Sequence, residues 1–94
     1  MVFNIRDHHH SFNDRAFRWF VRYISRALRN HYSRGRANYA LKKYDEAIED
    51  YTAAIELLPD TARYYTNRAN AYEAAGDDAA AAADRSRADE LNEN

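Results

Sequence analysis

Three groups of side chains in this 94-residue chain have types and spacings that could do chemistry. Arg15, Arg18, Arg22, Arg26 and Arg29 repeat at helical intervals and would share an arc of about 80° on one helix face. Guanidinium groups in such a row suit phosphate oxygens. Phe17, Phe20, Val21, Ile24 and Leu28 would fill the opposite face, with Trp19 and Tyr23 at the seam. A basic amphipathic helix of that kind also suits an anionic membrane surface. The expectation set against both is a row that is solvated or paired with acids elsewhere in the chain. His8, His9 and His10 look like metal ligands only in composition. Consecutive residues of an extended chain point in alternating directions, and no Cys or acid cluster completes a tetrahedral shell, so they read as an exposed leader or a purification remnant. Asp45, Glu46, Glu49 and Asp50 read as a solvated helical patch, the first two favouring the positive end of their helix. His31 reads as a packed or boundary residue.

No catalytic arrangement emerges from these residues. The four Ser have no partnered His, and two Gly cannot build a phosphate-cradling loop. Without Cys there is no disulfide framework and no thiolate chemistry. The chain is therefore expected to be non-enzymatic, with no cofactor and no metal. No apolar run approaches the ~20 residues of a membrane span, and the N-terminus lacks a signal-peptide core, so the expected address is cytoplasmic.

The elements that must position these groups are helices. One Pro and two Gly leave few turns, which excludes a strand-rich fold. The 46% hydrophobic content consists largely of Ala, with 18 residues, and Tyr, with 8. Small residues in that number call for closely packed helices. The net charge of −1 hides a division: residues 1–43 carry +8 and residues 44–94 carry −9. The periodicity predicts helices over 13–30, 32–42, 44–58, 61–75 and 77–91, an all-α chain of about five helices. Residues 1–12 are expected as a flexible leader, with Asn13 or Asp14 capping the first helix. No strong breaker lies between Leu28 and Arg34, so the first two helices could bend apart or run on as one rod. A folded-back helix would cover the core with Phe17, Phe20, Ile24 and Leu28; a rod would leave that face for a second protomer.

Shifting the sequence by 34 residues matches Arg34 with Arg68, Ala37 with Ala71, Ala47 with Ala81, Asp50 with Asp84, Ala54 with Ala88 and Leu57 with Leu91, while Gly35 meets Ala69. A 34-residue period of two helices marks helical-hairpin repeats. The stretch RGRANYALKKYDEAIEDYTAAIELLPD resembles a tetratricopeptide repeat: Gly35 and Tyr44 stand at its small and aromatic positions, Ala47, Tyr51 and Ala54 at its packing positions, and Pro59 at its close. A second, degenerate copy keeps Tyr65, Ala69, Tyr72, Ala81, Ala88 and Leu91, but Asp78 and Arg85 replace its aromatics and Glu93 its Pro. The expected organisation is one helical domain over 13–94, with an Arg-rich helix at 13–30 and hairpins at 31–60 and 61–94.

The resemblance implies a concave surface that binds extended peptides. Mapped by residue, it comprises Arg29, Tyr32, Ser33, Arg36 and Tyr39 on one helix, then Arg63, Thr66, Asn67, Asn70 and Glu73 on the next. Spacings of i, i+3, i+4 and i+7 place each set on one helical face. Arg offers paired donors to a carboxylate, Asn can grip a peptide backbone, and Tyr supplies apolar area with a polar tip. An acidic peptide or a C-terminal carboxylate suits that surface. Co-chaperone members of the family clamp a C-terminal carboxylate, and Asn67 matches one clamp position. Tyr32 and Arg36 replace the Lys and Asn of the first repeat, and no third repeat exists, so that clamp is not implied. The leading reading is a protein- or peptide-interaction scaffold, monomeric or homodimeric. A partnerless helical-repeat chain, engineered or excised, is the second. Attachment to nucleic acid or an anionic membrane through the Arg face is the third, and neither of those partners is expected.

Overall fold

A computed structural model describes the backbone of residues 2–93 and the side chains of residues 15–93. It holds four helices: α1 (Val2–Ala40), α2 (Tyr44–Leu57), α3 (Ala62–Ala75) and α4 (Asp78–Glu93). The count is four where five were expected, because 13–30 and 32–42 form parts of one rod. No residue between them breaks the backbone ladder, and the single glycine in that stretch is held inside the helix by packing. A Cβ on Gly35 would lie 2.7 Å from Tyr51 Cε1 and 2.8 Å from Tyr51 Cδ1. Tyr51 therefore rests directly against the α1 backbone. The expected leader at 1–12, its His8–His10 run and the capping side chains of Asn13 and Asp14 lie outside the residues whose side chains are described. The bounds of α1 begin at Val2.

α1 packs on α2, α2 on α3, and α3 on α4. Both hairpin turns close in one way. Lys42 takes a left-handed conformation (φ 65°) while the Lys43 N–H donates to Asn38 O at 2.8 Å. Gly76, 34 residues on, does the same at φ 94°, with the Asp77 N–H donating to Tyr72 O at 2.8 Å. These are the helix C-terminal closures that a left-handed residue permits. Asp77 then caps α4, its Oδ1 accepting from the Ala80 N–H at 3.1 Å.

The core is thin and built from small residues and tyrosines. Ala47, Tyr51 and Ala71 form one buried group; Ala54, Ile55, Tyr64, Tyr65 and Ala88 form the other. Alanine lets the helices approach, and the rings fill the space that remains. Burial pushes the Tyr51 phenol up to about 12.

Each hairpin also contains an ion pair built on a buried aspartate. Arg34 donates to Asp50 from Nε at 2.9 Å and Nη2 at 2.7 Å, and Asn38 Nδ2 donates to the other carboxylate oxygen at 2.9 Å. Arg68 grips Asp84 in a two-oxygen fork at 2.7 and 2.8 Å and reaches Thr52 Oγ1 at 3.0 Å. Asp50 thus leaves the solvated acidic patch to which the sequence assigned it: it is buried and fully engaged. The Asp84 hydrogen bond holds the Arg68 guanidinium above its ordinary range.

The N-terminal part of α1 does not fold back. Leu28 packs against the Ala54–Tyr64 group, but Phe17 and Phe20 are 62% and 54% exposed, and Val21 is exposed as well. The expected cover from Phe17 and Phe20 is absent, and Ile24 is only half-buried, because a rod carries that face past the end of α2 at Leu57. About 20 Å of helix lies between Arg15 and Leu28 at 1.5 Å per residue. The molecule is correspondingly elongated, with principal extents of 57 × 27 × 14 Å.

Candidate functional site: a groove floored by Tyr32

Tyr32 sits where α1 meets α3. Its ring lies 5.0 Å from that of Tyr64 and 6.1 Å from that of Tyr51, which fixes it as a half-buried floor. Arg63 on α3 stands over it at 5.5 Å from guanidinium carbon to ring centroid, and Arg36 on α1 at 5.9 Å. Arg29 completes the rim of a 290 Å³ cleft lined also by Ser25, Leu28 and Tyr64. Arg29, Arg36 and Arg63 make no ion pair among the described residues. Two are held by the quadrupole of a ring that leaves their N–H forks unspent. Three cations around an aromatic floor can accept a carboxylate together with apolar side-chain area.

The expected site residues divide into two sets. Arg29, Tyr32 and Arg63 line the cleft, and Arg36 stands over the Tyr32 ring. The polar residues of α3 are engaged within the chain. Asn67 Nδ2 donates to the Tyr32 hydroxyl at 2.8 Å. Asn70 Oδ1 accepts from Arg85 Nη2 at 3.3 Å, and Arg85 pairs with Glu73 at 2.9 Å. Thr66 turns back on its own helix, its hydroxyl donating to Ala62 O at 3.3 Å. Tyr39 packs its ring on Tyr44, 5.5 Å away, at the other end of the hairpin, and Ser33 is exposed. Asn67, the residue that matched a carboxylate clamp, is therefore capped by the tyrosine that replaces the clamp's lysine.

Sequence reasoning missed Ser25, Leu28 and Tyr64 as lining residues. Leu28 carries the helical apolar period and so reads as core, and the end of α2 leaves one side of it open; Tyr64 is a buried residue that meets the cleft through its ring contact with Tyr32. Among the described residues, no group of three His, Cys, Asp or Glu is placed to hold a metal ion.

Residues 35–76 match the family model described as TPR repeat. Over those residues the chain carries the tetratricopeptide-repeat pattern. The duplicated Arg–Asp pair and the duplicated left-handed closure are this array's own record of the 34-residue unit. Among similar proteins, DnaJ homolog subfamily C member 7 of Mus musculus is 54% identical over 35 residues, 37% of this chain and 7% of that protein. Its Homo sapiens counterpart matches equally. Heat-shock protein cognate (HSC) co-chaperone sgt12 of Aspergillus fumigatus is 44% identical over 52 residues, 55% of this chain and 15% of that protein. The chain thus spans only a small part of the length of each relative it matches. No described helix is long and apolar enough to cross a membrane.

Proposed function

We propose that this chain is a non-enzymatic protein-interaction scaffold whose Tyr32 groove takes an acidic segment or C-terminal peptide of a partner. The observation that carries the reading is the grouping of three unpaired guanidinium groups around Tyr32: Arg29 and Arg63 in the cleft it floors, and Arg36 over its ring. The repeat family, and the similarity to a named co-chaperone, support a protein partner. Because Asn67 is spent on Tyr32, recognition here falls to arginine forks, which suit carboxylates along a chain as well as one at its end.

The test is a titration of a fluorescent acidic peptide into the protein, as a free carboxylate and as a C-terminal amide. Changing Arg36 and Arg63 together to Ala is expected to weaken binding at least tenfold, since each charged hydrogen bond contributes about 1.5 kcal/mol or more. Both guanidiniums are exposed, so helicity should be unchanged. Equal binding by the double variant would refute the groove. Equal binding of acid and amide would assign recognition to internal carboxylates.

A further inference from the structure

The outward face of the α1 overhang is a second cationic surface, chemically distinct from the Tyr32 groove. Arg15, Arg22 and Arg26 lie on it, and none makes an ion pair among the described residues. The pairing with C-terminal acids that the sequence allowed is thus not made: the rod carries these groups past the acidic body. Residues 15–43 contain no acid at all, so Arg22 and Arg26 have no oppositely charged neighbour one helical turn away. On the same side, Trp19 and Tyr23 stack with rings 5.6 Å apart and 7° from parallel. They are 66% and 58% exposed. Trp19 separates two shallow clefts, one of 220 Å³ lined by Arg15, Arg18 and Arg22, the other of 120 Å³ lined by Arg22, Tyr23 and Arg26.

We propose that this Arg–Trp–Tyr face binds single-stranded nucleic acid, its arginines taking phosphates and its exposed rings stacking on unpaired bases. Cations that track a backbone, interleaved with aromatic platforms, are what strand binding without sequence readout requires. Arg15 to Arg26 spans about 17 Å of helix axis, enough for roughly three phosphates. A bilayer fits worse. A bilayer would take up the opposite Phe17, Phe20 and Val21 face and leave the Trp19–Tyr23 stack without a partner. Paired bases would hide the stacking faces, so duplex is the poorer ligand.

Trp19 is the only tryptophan, so its emission reports on the face directly. Titration of the full chain with a 12-mer RNA is expected to quench Trp19 saturably. Affinity should fall about 20-fold from about 50 to about 200 mM salt if three phosphates are neutralised. Arg22→Glu with Arg26→Glu should abolish binding at unchanged helicity and leave acidic-peptide capture in the groove intact. By anisotropy of a labelled strand, Trp19→Ala should weaken binding about tenfold. The salt series needs no variant and stands even if one misfolds. No saturable quenching at low salt overturns the proposal. So does a blue shift with anionic phospholipid vesicles but no response to RNA. Inorganic polyphosphate binding as tightly as RNA of equal charge, with Trp19→Ala silent, would reduce the face to an ion sink and also overturn it.

Discussion

The two hairpins carry the same parts at the same 34-residue interval, yet the parts are used under different burial. Arg68 is 17% exposed in its pair with Asp84, whereas Arg34 is 61% exposed in its pair with Asp50. Ala71 is fully buried, whereas Ala37 is exposed. The cause is position in the stack. α3 is packed between α2 and α4; α1 packs on α2 and meets α3 only around Tyr32. A repeat's residues therefore do not acquire an environment from the repeat itself but from having neighbours, as expected of a quasi-one-dimensional array.

That comparison can be broken or sharpened by paired substitutions followed by urea unfolding. The largest effect is expected at Arg68→Ala, a loss of about 3 kcal/mol, because Asp84 would be left buried without its cation. Arg34→Ala should cost clearly less, since water reaches its side chain and Asn38 still serves Asp50. Equal losses would mean that both pairs experience one environment. Next, Ala71→Leu should cost about 1–3 kcal/mol by overpacking, while Ala37→Leu stays within about 0.5 kcal/mol.

A third pair concerns Gly35 and its equivalent, Ala69. Gly35→Ala should destabilise by about 1–2 kcal/mol despite the better helix propensity of Ala, since its Cβ would strike Tyr51. The second hairpin has Arg85 at the position of Tyr51, and it accommodates Ala69 at full burial. Coupling between Gly35→Ala and Tyr51→Leu in a double-mutant cycle would show that the glycine is there for the ring; strict additivity would disprove it. The smallest effect is expected at the two left-handed closures. Lys42→Gly should stabilise by about 1 kcal/mol, and Gly76→Ala should destabilise by a similar amount, because only glycine adopts positive φ without a Cβ penalty. A neutral Lys42→Gly would show that its turn is held by contacts and not by backbone preference.

A second contrast runs along α1 itself. From Leu28 onward its apolar positions pack on the hairpins; before Leu28 the same period continues with nothing beneath it. Periodicity describes which face is apolar but not what stands opposite. For that reason Phe17 and Leu28 read alike in the sequence and differ in the fold. The candidate groove shows the same limit. Spacing placed Arg29, Tyr32 and Arg36 on one face, and Arg63 with Asn67 on another. Spacing carried no signal that Asn67 would donate to Tyr32, or that Arg85 would reach across to Asn70 and Glu73. Those bonds join residues 12–35 positions apart in the chain.

By itself the sequence determined the all-α class, the 34-residue unit, the small residues at the crossings and the division of charge. Each of these follows from residue type and local period, which act within a few turns of helix. It also aligned Arg34 with Arg68 and Asp50 with Asp84, without revealing that each Arg holds its Asp across a hairpin. The tertiary structure decided which copy of each part is buried, that α1 is a single rod, and which arginines remain unpaired. Those outcomes depend on where neighbouring helices end. α2 stops at Leu57, so α1 before Leu28 has no surface to pack on, and the groove and the basic overhang both open at that end.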